Sequence, residues 1–141
     1  MRINCLNFSN SKKYRHYLLH GSELILKQNI ADSICQSLET DGFLEKILLT
    51  QDELEQAEEI IMRNIGGSLF QEKLILHLRH SSGKFPENIK AILESNHLYR
   101  SENISLIIES SSEKTPASGM WVKNIDEKGL IVDCGKLKTA E

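Results

Sequence analysis

Five short apolar runs punctuate the chain: Tyr17-Leu18-Leu19, Ile47-Leu48-Leu49, Leu74-Ile75-Leu76-His77-Leu78, Ile104-Ser105-Leu106-Ile107-Ile108 and Leu130-Ile131-Val132. Most are continuous instead of alternating, the pattern of strands buried on both faces of a sheet. Helical patterning separates them. Leu26, Ile30, Ile34 and Leu38 recur every four residues, one stripe of an amphipathic helix, and Gly42 supplies its stop. Thr50 and Glu53 have capping-box spacing, so a second helix is expected from Thr50. Leu54, Ala57, Ile61 and Ile65 form its apolar stripe and Gly66 its end. A third helix is expected from Pro86, where a missing N–H costs nothing, and a shorter fourth around Met120-Trp121-Val122. Strand and helix therefore alternate. The expected architecture is a three-layer α/β/α domain whose five-stranded, mostly parallel sheet is joined by right-handed crossovers.

The chain has 141 residues, 40% hydrophobic and 26% charged, which fits one domain with a real core. No apolar run approaches a bilayer span and no secretion signal opens the chain, so a cytoplasmic protein without membrane contact is expected. Its 17 basic and 20 acidic side chains leave a net charge of −3, with no basic stripe for direct nucleic-acid binding. Cys5, Cys35 and Cys134 lie far apart without a Cys-x-x-Cys pair and are expected as inert, reduced thiols.

In such a fold the turn after the first apolar strand is the natural ligand position. Here it begins "HGSELILKQN". Against the phosphate-loop pattern Gly-x-x-x-x-Gly-Lys-Ser/Thr, Gly21 takes the first glycine's place and Lys27 the lysine's. Leu26 stands where the second glycine belongs, and Gln28 replaces the hydroxyl that would hold magnesium. Bulky Leu24, Ile25 and Leu26 would block closure of backbone N–H groups around an anion. Lys27 then reads as a solvated helix lysine and Glu23 as an acid favouring the helix start. The run Leu74–His80 ends in His77, Arg79 and His80 without the acid a magnesium site needs.

No other constellation carries chemistry. His77 and His80 fall on opposite faces of a strand, and His16 and His20 lie about 13 Å apart along one, so no metal site is expected. No serine stands in a Gly-x-Ser-x-Gly elbow. Neither a nucleotide cofactor nor a catalytic residue is expected. A P-loop-like ATPase or a regulatory nucleotide-binding domain are the alternative readings.

One stretch resists a purely structural account. In "IGGSLFQEKL", Leu69-Phe70 is framed by Gly66, Gly67 and Ser68 on one side and by Gln71, Glu72 and Lys73 on the other. It lies outside the neighbouring apolar run. Together with "YRHYLLHGSELILKQNIADSI" and "ENISLIIESSSEKTPASGMWVKNI", in that order and spacing over about residues 14–134, the segment resembles the amino-terminal domain of the delta subunit of bacterial DNA polymerase III. That subunit is the wrench of the clamp loader. The resemblance implies an AAA+-like fold without ATP binding and a hydrophobic tip that docks into the beta sliding clamp and helps open it. On this chain the tip would be Leu69 and Phe70, preceded by Ser68, with Gly67 where some relatives carry a larger apolar residue and Ile65 as a partial substitute. It further implies that residues 1–141 form one clamp-binding domain, the family's lid and collar domains lying outside it. Those domains would contact the gamma/tau and delta-prime subunits, and DNA would be met only through the assembled loader.

Overall fold

A computed structural model of the chain describes residues 2–9, 14–65, 73–80, 87–94, 103–111 and 120–135. Six strands form one parallel sheet: β1 (Arg2–Asn4), β2 (His16–His20), β3 (Glu45–Leu49), β4 (Leu74–His80), β5 (Ile104–Ser110) and β6 (Leu130–Asp133). Their spatial order is β1-β6-β2-β5-β4-β3. Four α-helices are described: α1 (Leu24–Thr40), α2 (Gln56–Ile65), α3 (Glu87–Glu94) and α4 (Met120–Lys128).

The order dictates the layers. The chain runs from β2 to β3 in one direction across the sheet and then steps back through β4 and β5 to β6. Right-handed crossovers put the first connection on one face and the three returning ones on the other. Accordingly α1 packs Ile30, Ala31, Ile34, Cys35 and Leu38 with Tyr17, Leu19, Ile75, Ile107 and Val132. On the opposite face Leu54, Ala57, Ile60 and Ile61 of the α2 region, Leu93 of α3, and Trp121, Val122 and Ile125 of α4 meet Leu18, Leu76, Leu78, Leu106 and Ile108. This is the expected three-layer α/β/α arrangement.

The five apolar runs are strands, and a sixth strand joins them at the edge. β1 pairs in parallel with β6, Ile3 opposite Val132, although Arg2-Ile3-Asn4 holds a single apolar residue. The central strands β2 and β5 are buried at every position. β3, at the other edge, exposes Glu45 and Lys46, charges that discourage pairing with a further strand.

Gly42 stops α1 as expected, in a left-handed conformation with φ +95°. Phe43 N–H donates to Leu38 O at 3.1 Å and Gly42 N–H to Glu39 O at 3.1 Å, the two bonds of a Schellman motif. Phe43 and Leu38 are both buried in the α1-side core and provide the hydrophobic contact that accompanies it. The Thr50–Glu53 box also forms, the Glu53 carboxylate accepting from Thr50 N–H at 3.4 Å and Thr50 Oγ1–H at 2.8 Å. It caps a 3₁₀ turn over Gln51–Glu53, and α2 proper begins later than expected, at Gln56.

Beneath α4, His16 is buried at the start of β2. Burial, with Arg15 and Lys128 nearby, lowers its pKa from 6.5 to about 4. The unfolded chain binds this proton more readily, so stability is lost as pH falls from 6.5 toward 4, by about 3 kcal/mol from this group. Urea unfolding across that window should show the loss, and His16→Asn should flatten it.

Candidate functional site

β2 and β5 are neighbours whose chains leave for opposite faces, β2 to α1 and β5 to α4. Their carboxyl ends therefore frame the crevice where open parallel sheets bind ligands. The β2–α1 turn, Gly21 to Glu23, lies at its rim. Gly21 has φ +120°, and a Cβ there would stand 2.2 Å from the Cys134 carbonyl carbon. Cys134 N–H donates to His20 O at 2.6 Å, and Glu23 N–H donates to Cys134 O at 3.0 Å. The amide at the helix start, which a phosphate would need, is thus engaged by backbone. Glu23 is the N-cap residue of α1 but forms no side-chain cap bond.

Lys27 departs from the sequence expectation. It is buried, at 2% exposure, and its Nζ donates to Ser110 O at 3.0 Å. The helical phase explains why. At about 100° per residue, Lys27 lies roughly 20° from Leu38 on the α1 wheel, whereas Leu26 lies about 120° away. Lys27 belongs to the buried stripe, and its stem runs through the core so that the ammonium reaches the carboxyl end of β5. Leu26 is half-buried and Gln28 exposed. Leu24 and Ile25 are 52% and 71% exposed, so bulk at these positions faces outward.

The acid missing from β4 comes from β5. Glu109 is in register with Arg79 and is buried. Arg79 Nε donates to Glu109 Oε2, and His77 Nε2 lies 3.6 Å from the same oxygen. Burial alone would raise the Glu109 pKa. The hydrogen bonds and charges of His77 and Arg79 override it and hold the carboxyl at about 2. His80 points to the other face, is also buried, and its pKa is lowered by that burial. Among the described residues no three His, Cys, Asp or Glu side chains converge as metal ligands. Arg79 on Glu109 would in any case repel a cation. Among the described residues, the chain's own charged groups take up these positions at the carboxyl ends of β4 and β5.

The second candidate site lies at the opposite, amino edge of the sheet. Gly67, Ser68, Leu69 and Phe70 fall outside the described residues, but the segment's two ends are fixed. α2 delivers the chain at Ile65, and β4 takes it up at Leu74, whose N–H donates to Asn103 O at 2.7 Å. Lys73 donates to Asp41 O at 3.0 Å and stands 5.3 Å over the Phe43 ring. Among the described residues, two large apolar side chains are exposed at this edge: Leu44 at 81%, one position before the Glu45–Leu74 pair, and Met62 at 62% in the last turns of α2.

Residues 17–135 match the family described as DNA polymerase III, delta subunit. The chain belongs to that family. Comparison with individual curated proteins gives no match. A delta subunit is a component of the clamp-loader machinery of DNA replication, and this chain shares that assignment. No helix among its described residues is long and apolar enough to cross a membrane.

Sequence reasoning missed Glu109, Leu44 and Met62. Glu109 had a signal, an acid closing an apolar strand, but its partner Arg79 is visible only through strand order. Met62 lies just off the Leu54-Ala57-Ile61 stripe, and Leu44 sits in a turn where apolar residues pass unremarked.

Two consequences follow for this delta-family chain. Glu109→Gln removes a carboxylate held below its ordinary 4.5, whose stabilisation is present above that value and lost as pH falls toward 2. Urea unfolding at pH 7 should show a loss of about 3 kcal/mol, narrowing below pH 4.5. Lys27→Ala should cost on the order of 2–4 kcal/mol, from the lost bond to Ser110 O and a cavity, and Lys27→Met should recover the packing share.

Proposed function

We propose that this chain is the clamp-binding domain of a clamp-loader delta subunit, docking Ser68, Leu69 and Phe70 into an apolar pocket of the beta sliding clamp. The observation that carries the reading is the exposed apolar pair Leu44 and Met62 at the sheet edge that launches and receives this segment, on a chain of the delta family. Leu69 and Phe70 act as aliphatic and aromatic anchors of the kind that dominate interface energetics. Each contributes on the order of 1.5–3 kcal/mol on full burial. Leu44 and Met62, exposed at the same edge, are proposed to extend the dry contact.

The domain is non-catalytic and uses no cofactor. Glu23 N–H is engaged by Cys134 O and the Lys27 ammonium is turned onto Ser110 O, so neither waits for a phosphate. This favours the docking reading over a P-loop-like ATPase. Clamp opening then draws on binding energy alone, because a ligand shifts an equilibrium only by its preference for one state. The family's lid and collar domains connect such a domain to the gamma/tau and delta-prime subunits in the cytoplasm, and DNA is met through the assembled loader. On this reading Gly67 offers the clamp one apolar contact fewer than a larger residue would, and Ile65 is the proposed partial substitute.

Calorimetric titration of the chain into the sliding clamp of the same organism tests the reading. The parent should bind, and Leu69→Ala with Phe70→Ala should weaken binding at least ~100-fold with an unchanged circular dichroism spectrum. Leu44→Ser should weaken it several-fold. Equal affinity for the parent and a folded double variant would sink the proposal.

A further inference from the structure

The sequence separates Cys5 from Cys134 by nearly the whole chain, and the fold puts them side by side. β1 and β6 run in parallel with Arg2 opposite Ile131, Ile3 opposite Val132 and Asn4 opposite Asp133. One step further along both chains sets Cys5 against Cys134. Alternation places both on the face of Ile3 and Val132, and both pack on the α1-side core. Neighbouring parallel strands lie about 4.8 Å apart, within the Cα separation of roughly 4.4–6.8 Å that a disulfide spans. Cys5 opens the 3₁₀ turn Cys5–Asn7 just past β1, so its backbone can adjust toward Cys134, which His20 O and Glu23 N–H hold in place.

We propose that Cys5 and Cys134 form a redox-controlled latch, closing a disulfide that fastens the three-residue edge strand β1 to β6 beside the Gly21–Glu23 turn. Both are free thiols in this structure, Cys5 half-buried and Cys134 buried, which assigns the roles. The accessible Cys5 thiolate attacks a low-molecular-weight disulfide such as oxidised glutathione. A Cys5–glutathione bond forms and the first glutathione leaves as its thiol, carrying the proton that Cys5 released. Cys134 then gives its proton to solvent base and attacks the Cys5 sulfur, expelling the second glutathione. Two protein thiols are oxidised and one glutathione disulfide is reduced to two thiols. Burial, together with the charge and hydrogen bond of Cys5, pushes the Cys134 thiol up to about 12. The burial persists once Cys5 carries glutathione and keeps the Cys134 thiol raised, so closure accelerates about tenfold per pH unit between pH 7 and 9.

Cys134 also ties the turn to the sheet, through His20 O and Glu23 N–H, so the latch closes on the residue that seats α1. The reduced chain holds β1 by its short ladder and by the exposed Arg2–Asp126 pair at 3.1 Å, which is weak. Oxidation converts that loosely held edge into a covalent one. Cys35, buried on α1, is the internal control.

The purified full chain is incubated with a graded ratio of oxidised to reduced glutathione, and its peptides are mapped by mass spectrometry without reduction. The expected product is a monomer with Cys5 joined to Cys134 and Cys35 free. Its thermal midpoint should lie roughly 5–15 °C higher, and reductant should restore the starting value. In Cys5→Ser, which alters only the accessible partner, Cys134 should remain a thiol throughout. Accumulation of the Cys5–glutathione adduct without closure at pH 9 would overturn the proposal. So would Cys5 bridging two copies, or oxidation of Cys134 in the Cys5→Ser variant.

Discussion

The carboxyl edge of this domain depends on the approach of Gly21 to the Cys134 backbone, a distance at which no side chain fits. The contact carries the β2–β6 ladder one residue past Asp133, because Cys134 N–H reaches His20 O. It then hands the Cys134 carbonyl to Glu23 N–H and so fixes where α1 starts. With the start fixed, the helical phase is fixed. Leu24 and Ile25 turn outward, Lys27 turns inward, and Ile30, Ile34 and Leu38 follow Lys27 onto the sheet. A glycine and a helix start near a topological switch point are the materials of an anion site. In this chain the same materials are spent on internal backbone bonds.

The polar groups at the carboxyl ends of β4 and β5 follow from that geometry. A buried lysine and a buried glutamate each carry a large desolvation cost, and a buried ion pair contributes little net stability against an apolar replacement. Their arrangement is nonetheless specific. Lys27 reaches the β5 carboxyl end from the helix, and Arg79 reaches Glu109 from the neighbouring strand. These are polar contacts that only the correct strand order can make. A register slip of β5 by one residue would carry Glu109 to the opposite face, away from Arg79 and His77.

What the sequence could disclose tracks how local each signal is. The runs around Leu18, Leu76, Leu106 and Ile131 announce buried strands without reference to anything distant, and the layered fold follows from their alternation with helices. β1 is silent because a three-residue edge strand with one apolar position has no pattern, and only its pairing with β6 makes it a strand. Lys27 was legible in principle. Stepping by four from Leu26 drifts around the helix, while stepping by three and four from Lys27 through Ile30 or Ala31 to Ile34 and Leu38 stays on one face. Lysine's usual place at the surface masks this stripe. Glu109–Arg79 and Cys5–Cys134 were not legible at all, because each pair is made by strand register between distant segments.

The separation of the two edges bears on how such a domain could act as a wrench. β4 is seven residues long, so about 23 Å of strand lies between the amino edge and the crevice. Chemistry at Cys5 and Cys134 therefore need not disturb a docking surface near Leu44 and Met62. The amino edge is also firmly held. α2 is anchored by Leu54, Ala57, Ile60 and Ile61, all buried, and Lys73 is tied to Asp41 O and the Phe43 ring. On the proposed docking reading, a segment joined at both ends to fixed elements would lose less conformational entropy on docking than one on free chain. On that reading, more of its burial energy would then remain to favour an opened clamp.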